Sequence, residues 1–363
     1  MKRLQPLVFL VIILVSASLL SNVALSVTDK IQPNDYAKEN FAVPEKITPY
    51  SLPENWPIYF DRPVVDMTPK GARSKVVVIG TGNPTPNPYR NGPALAVIVN
   101  DYPYFVDAGE GIWRGIANAI LWQGGDLQDS FAVNKLKYLF VTHLHEDHTV
   151  GIPSFIFNPY KFHSTSDKVI FGPPGTKDMV GHILAAWEAD VHEMMTSHKW
   201  DAVGSRATTT DIYDEGVVFQ DENVKVEAYR TKHGAFEYSF AYRFVTPDRI
   251  FAFGGDGIYS NGLVEAARGA DILFMEAVTE EGIPYAPWGG NTVEQKKKTI
   301  FSYHIPPKDL VRVKEESGVK SIVLIHEQYY SGPGEYRREA LLEEIKRAGM
   351  KGPIYSSIDG DIY

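Results

Sequence analysis

Four strong metal-binding side chains fall within six residues in the stretch Thr142-His-Leu-His-Glu-Asp-His-Thr-Val-Gly151: His143, His145, Asp147 and His148. Burying several imidazoles and carboxylates without partners would cost several kcal/mol, so something must satisfy them. Two histidines one residue apart at the end of a strand point to the same side, and the following turn can fold Asp147 and His148 back towards a neighbouring point. That arrangement suits two adjacent cations better than one. Two cations about 3.5 to 4 Å apart can share a hydroxide that is nucleophilic near neutral pH, so the chemistry indicated is metal-assisted hydrolysis. The chain contains no cysteine, which leaves nitrogen and oxygen as the donors. Two Zn2+ ions suit such donors, and Mn2+ or Fe is compatible with them.

The run needs a strand to present it, and Leu136-Lys-Tyr-Leu-Phe-Val-Thr142 supplies one. Upstream, Lys75 to Gly80, Ala94 to Val99 and Tyr104 to Asp107 read as strands, followed by a helical pattern from Ile112 to Trp122. Downstream, Thr176 to Met195 predicts one helix, with Val180, Ile183, Leu184, Trp187 and Val191 on one face. Strands are expected at 224–229, 239–244, 249–253, 271–275 and 321–325, with helices near 260–268, 292–301, 307–317 and 336–348. Two β-rich halves with interleaved helices predict an α/β fold of two stacked sheets covered outside by helices, an αββα four-layer sandwich. No repeat of solenoid length is present.

The whole chain sets further bounds. With 363 residues, 44% hydrophobic and 22% charged, it can bury a sizeable core. A net charge of −9 argues against a broad phosphate-tracking surface, so no nucleic-acid partner is expected. Residues 1–26 differ from the rest: Lys2 and Arg3 precede the apolar stretch Leu7 to Val15, which softens into small residues up to Ala24. This is the pattern of an export signal, and the same segment is long enough to serve as an uncleaved anchor. The expectation is an exported protein: periplasmic, secreted, or tethered to the outer face of a membrane. Membrane contact follows only if the segment stays uncleaved. Residues 27–73 are proline-rich and read as an extended arm, leaving 74–363 as the hydrolase domain.

The His-x-His-x-Asp-His run resembles the signature of the metallo-β-lactamase superfamily. Gly80-Thr-Gly-Asn-Pro-Thr-Pro, Arg90-Asn-Gly-Pro-Ala94 and Phe105-Val-Asp-Ala-Gly-Glu-Gly111 are similar to opening segments of its ribonuclease Z and arylsulfatase-like branch. The resemblance spans Lys75 to the C-terminus. It implies three further ligands: His233 with His143 and His145 at a first metal, Asp256 bridging both metals, and His326 with Asp147 and His148 at the second. It also implies that His304 stabilises the transition state or protonates the leaving oxygen, although Ile305-Pro306 stands where the family has a small polar residue. Asp147, Asp256 and His304 are the catalytic candidates. Asp107 either orients a ligand imidazole or caps the turn before Gly109. His163, His182, His192 and His198 are expected to be surface or core residues. Aromatic side chains beside the metals, with Trp288, Tyr329 and Tyr330 near the later motifs, could wall a pocket for an apolar or aromatic substrate group.

The resemblance implies a hydrolase using a metal-bridging hydroxide on small phosphodiesters or sulfate esters, with an aryl leaving group allowed. Transfer-RNA processing is disfavoured by the export signal, the acidic charge and the lack of a glycine- and lysine-rich arm. Lactone or β-lactam opening is the alternative, since the ligands are shared across these reactions. A non-catalytic metal-binding protein ranks third, because such members usually lose ligands and all seven are present. The partner expected is a small-molecule ester, and a homodimer is compatible with the sequence.

Overall fold

Most strands are apolar on both faces, which requires that each sheet be covered on both sides. The computed structural model describes residues 64–330 and 338–363. The leader expected at 1–26 lies outside these residues, as does the 27–73 arm apart from 64–73.

Thirteen strands among the described residues form two sheets. The first has the order β1 (Ser74–Gly80), β2 (Ala94–Val99), β3 (Tyr102–Val106), β4 (Tyr138–Phe140), β5 (Lys168–Gly172), β6 (Ala207–Asp211). Its first three strands are antiparallel neighbours, and β3 to β6 run parallel. The second sheet contains β7 (Gly216–Gln220), β8 (Lys225–Arg230), β9 (Phe240–Val245), β10 (Ile250–Phe253), β11 (Ile272–Met275), β12 (Ser321–Leu324) and β13 (Ile354–Ser356), in order from one edge to the other. Here β7 to β10 are antiparallel and β10 to β13 parallel.

The period-two alternation of a strand divides the side chains into layers. Val76, Val97, Tyr104 and Phe140 from the first sheet meet Tyr242, Phe244, Phe253 and Phe274 from the second in one buried cluster between the sheets. The alternate residues face helices. α1 (Ile112–Trp122), the one-turn α2 (Glu146–Thr149), α3 (Ile152–Lys161), α4 (Thr176–Ala186) and α5 (Glu188–Ser197) follow strands of the first sheet. α6 (Asn261–Ala267), α7 (Val293–Ile300), α8 (Pro307–Ser317) and α9 (Arg338–Arg347) follow strands of the second. Side chains of α1, α3 and α4 pack on Val77, Ala96 and Phe105, while α6, α8 and α9 pack on Ala241, Ala252 and Leu273. The small residues on these outer faces let the helices approach closely. The result is the αββα sandwich that the alternation predicts.

The chain end closes one edge of the sandwich. After β13, Ile362 bridges Val77, and Val76 and Tyr363 exchange two backbone hydrogen bonds. Asp66, at the end of the proline-rich stretch, bridges Ile362 on its other side.

Two elements depart from expectation. The helix predicted over 176–195 is broken at Trp187, which ends α4 and starts α5 while stacking on Phe157 at 5.5 Å. The strand predicted over 136–142 is regular only at Tyr138–Phe140 and is preceded by a 3-10 turn at Val133–Lys135. Strands β5, β6, β7 and β13 and helices α2 and α3 add to the elements read from the sequence.

Candidate active site

Every side chain of the candidate centre follows the carboxyl end of a strand, where backbone leaves the sheet and can turn a side chain over its edge. His143, His145, Asp147 and His148 follow β4, His233 follows β8, Asp256 follows β10 and His326 follows β12. The two sheets are tied just before the run: Tyr242 Oη donates to Val141 O at 2.8 Å, and Phe240 N–H donates to Thr142 O at 2.9 Å. The single turn α2 folds Asp147 and His148 back beside His143 and His145, as the spacing predicts.

These residues converge into overlapping groups. His143 Nε2 lies 3.2 Å and His233 Nε2 lies 2.9 Å from His145 Nδ1. Asp147 Oδ2 lies 2.9 Å from His326 Nε2 and 3.6 Å from His148 Nε2. Asp256 stands between, with Oδ1 3.4 Å from His148 Nε2 and Oδ2 3.3 Å from His326 Nε2. All seven are buried except His145, which is half-buried.

The outward nitrogens have partners that aim the rings. His148 Nδ1 is 2.8 Å from Asp107 Oδ2, His233 Nδ1 is 2.8 Å from Tyr303 O, and His143 Nδ1 is 3.1 Å from Thr142 Oγ1. Asp107 thus orients an imidazole, the first of the two roles open to it, and its other oxygen accepts Thr142 N–H at 2.8 Å. Both Asp107 and His326 adopt left-handed backbone, with φ of 58° and 48°. Such strain persists only where surrounding bonds over-determine it. For His326 those bonds include its N–H to Thr81 O at 2.9 Å. Thr81 is itself held by Asp359, and the neighbouring Glu327 is paired with Arg90 at 3.0 Å.

The electrostatics match a cation site. Burial holds His143 well below the usual imidazole range and pulls His233 down to about 4, so both are neutral donors. Burial would raise Asp256, but His326 and His148 outweigh it and keep the carboxyl well below its ordinary range. The buried His148 Nε2 has no hydrogen-bond partner among the described residues. Burial would lower His148 and His326 too, but Asp256 and the neighbouring carboxylates hold both above the usual imidazole range, so the neutral nitrogens that face one another and fit a metal ion are those of His143, His145 and His233.

His304 sits at the same place, with Nδ1 3.3 Å from Glu276 Oε1 and 3.9 Å from Asp256 Oδ2. Burial pulls this imidazole down to about 4 despite Asp256. The Ile305 that follows is buried in the outer core, and its N–H donates to Glu276 Oε1 at 2.9 Å. Glu276 was not singled out from the sequence. Its signal is a carboxylate directly after an apolar strand, the position that Asp107 and Asp256 nearly share. Burial and Asp256 hold its carboxyl well above the ordinary range.

A cavity of about 900 Å³ opens over His145, Asp147, Asp256 and His326. Tyr285, Trp288, Tyr303, Tyr329 and Tyr330 wall it, in keeping with the aromatic pocket expected near the later motifs. Phe155, Phe157, Trp187, Met194, Met195 and Trp200 do not line it, nor do His163, His182, His192 and His198.

The family described as anti-Pycsar protein Apyc1 matches residues 74–289, more than half of the chain. The chain belongs to this family. Ribonuclease Z of Mycobacterium sp. (strain KMS) is 27% identical over 264 residues, covering 72% of this chain and 86% of that protein. Human tRNase Z, short form, superposes with a TM-score of 0.55 at 20% identity, over 80% of this chain and 98% of that one. The metallo-β-lactamase fold protein YhfI from Bacillus subtilis does so with a TM-score of 0.55 at 15% identity, over 80% and 98%. This anti-Pycsar family member therefore lies in the ribonuclease Z branch of the metallo-β-lactamase superfamily, as a metal-binding hydrolase.

Proposed function

We propose that the chain is an exported phosphodiesterase that holds two zinc ions and acts on small phosphodiesters bearing a planar group. One observation carries this reading: Asp256 groups with His143 and His148 on one side and with His304 and His326 on the other, on the floor of an aromatic-walled cavity. His143, His145 and His233 would hold one ion with Asp256, and Asp147, His148 and His326 the other. Bound there, the pair supplies Lewis acidity and a nucleophile near neutral pH. The chain's own residues do the rest. The tyrosines and Trp288 offer flat faces on which a ring can stack. Asp107, Tyr303 and Thr142 keep the imidazoles aimed, and His304, set beside Glu276, is placed to stabilise the transition state by a hydrogen bond.

Phosphodiesters are preferred over sulfate esters because the relatives called ribonuclease Z cut RNA, which is a phosphodiester. The export reading rests on the leader pattern of residues 1–26. Among the described residues no helix is long and apolar enough to cross a membrane.

The test is a nitrophenyl panel of phosphodiester, phosphomonoester, sulfate and lactone analogue with the zinc-loaded chain. Phosphodiester turnover that chelation and Asp256→Ala both abolish is expected. Dominant acyl cleavage would replace this reading with a lactonase, and silence throughout would favour a binding role.

A further inference from the structure

Three of the candidate ligand histidines are aimed by a hydrogen bond at the outward ring nitrogen, and His326 is not. His143, His148 and His233 turn that nitrogen to Thr142 Oγ1, Asp107 Oδ2 and Tyr303 O, at 3.1, 2.8 and 2.8 Å. His326 turns Nε2 to Asp147 and Asp256, and its buried Nδ1 has no hydrogen-bond partner among the described residues. With no hydrogen bond behind the ring, its aim rests on the backbone, which is left-handed at φ 48°. A residue other than glycine keeps such a conformation only where its neighbours impose it.

Those neighbours lie on the loop between β1 and β2. Thr81 O accepts His326 N–H at 2.9 Å, Asn83 Nδ2 donates to Glu327 O at 2.8 Å, and Arg90 Nη2 donates to Glu327 Oε2 at 3.0 Å. The loop is pinched shut by Gly82 N–H to Asn91 O at 2.7 Å. Both of its ends converge on the buried carboxylate of Asp359. Oδ1 accepts Thr81 N–H at 2.9 Å and the Thr81 hydroxyl at 2.6 Å, while Oδ2 accepts Asn91 N–H at 2.7 Å and the Asn91 amide at 3.0 Å. Thr81 Oγ1 in turn accepts Arg90 Nε–H at 2.9 Å, so carboxylate, hydroxyl and guanidinium form one network. Asp359 is carried by a chain end tied to both sheets. Ser357 N–H donates to Leu324 O, two residues before His326, at 3.0 Å, and Gly360 N–H donates to Val78 O at 2.7 Å.

We infer that Asp359 is a positioning residue for His326: from the C-terminal strap it pins the β1–β2 loop, and through Thr81 it sets the backbone of the ligand that completes the second cation set. The inference rests on the proposed two-metal reading. It adds an asymmetry, because the first set draws no ligand from the end of β12 and is tied across the sheets by Tyr242 and Phe240 instead. Four donors meet two oxygens at Asp359. An asparagine there would have to turn its NH2, which can only donate, on a backbone N–H.

Zinc affinity of the full chain, read by competition with a chromogenic chelator, tests this role. The native chain should take up two ions. In a His233→Ala background, where Asp147, His148 and His326 hold the remaining ion, Asp359→Asn should weaken zinc by ~10–100-fold, the usual effect of losing support behind a ligand. In a His326→Ala background, where the first set holds it, the same substitution should change affinity by less than about 2-fold, as independent sites do. Should Asp359→Asn fail to fold, Thr81→Val keeps the carbonyl that accepts from His326 and removes only the bridging hydroxyl. It should weaken zinc in the His233→Ala background and leave the His326→Ala background unchanged. Equal losses in both backgrounds, or none in either, would overturn the positioning role, since a merely structural residue acts on both sets alike. Fewer than two ions in the native chain would overturn the two-metal reading itself.

Discussion

Asp256 belongs to two of the candidate ligand groups, one with His143 and His148 and one with His304 and His326, and sets one carboxylate oxygen by His148 and the other by His326, a geometry no single histidine can supply. Asp256→Ala should therefore reduce bound metal from two ions per chain to one or fewer, measured by elemental analysis after dialysis. Two ions retained would show that the two sets do not depend on the shared carboxylate. Asp107 acts one bond further out, through His148 Nδ1. Loss of such an orienting partner typically weakens metal affinity by ~10–100-fold, so Asp107→Ala should lose a competition against a chromogenic chelator by that factor. Away from the site, Lys168 is wholly buried, donates to Ser166 O at 2.8 Å, and has its ammonium pulled from 10.5 to about 8 by burial. Its folded pKa is depressed, so between pH 8 and 10.5 the folded chain binds fewer protons than the unfolded one and stability rises with pH. Below pH 8 the full cost of the buried charge is present. Lys168→Met should accordingly stabilise the protein at pH 7 by roughly 2 kcal/mol, the shift less one lost hydrogen bond. The gain should shrink between pH 8 and 10.5 in denaturant titrations; a pH-independent gain would mean that packing, not charge, is responsible.

At the scale of elements, the site depends on how tightly the β3–α1 turn is stitched to the run after β4. Ala108 N–H donates to His148 O and Gly151 N–H donates to Ala108 O, both at 2.8 Å. A Cβ on Gly109 would meet Gly92 backbone and lie 2.6 Å from Asp147 O. These are backbone atoms with nowhere to go, so Gly109→Ala should destabilise the fold by about 1–3 kcal/mol, the usual cost of overpacking. Because Asp147 is displaced with it, metal affinity should fall in the same variant. An unfolding midpoint and a zinc affinity both equal to the native values would refute that coupling. The broken helix at Trp187 carries a related lesson. The apolar stripe from Val180 to Val191 is real, but periodicity does not register that one aromatic stacks on Phe157 and turns the chain there.

For the molecule as a whole, two sheets meet over an aromatic core, and the candidate ligands come from both. A metal that binds only this assembled state stabilises it by mass action, about 2.7 kcal/mol at a free concentration 100 times the Kd. Calorimetry should show a higher Tm for zinc-loaded protein than for chelated protein, and the increment should be lost in Asp256→Ala. An unchanged Tm on chelation would mean that the seven residues cohere without metal.

The sequence alone determined the elements, the four-layer architecture and the ligand run, because each is a short-range pattern. Strand alternation has a period of two, a helical stripe a period near 3.6, and His143 to His148 span a single strand end and turn. The resemblance supplied His233, Asp256, His326 and His304 through short motifs after strands. What tertiary structure decided was the meeting of groups far apart in the chain: Asp147 with His326 across 179 positions, His148 with Asp107 across 41, and Asp359 with Thr81 across 278. Glu276 and Asp359 each stand in unremarkable local sequence. Their roles arise because parallel pairing of β11 with β12 brings one strand end beside another and because the chain end returns to β1. A hydrogen bond reports the distance between two atoms in space, and no local pattern encodes that distance before the sheets have formed.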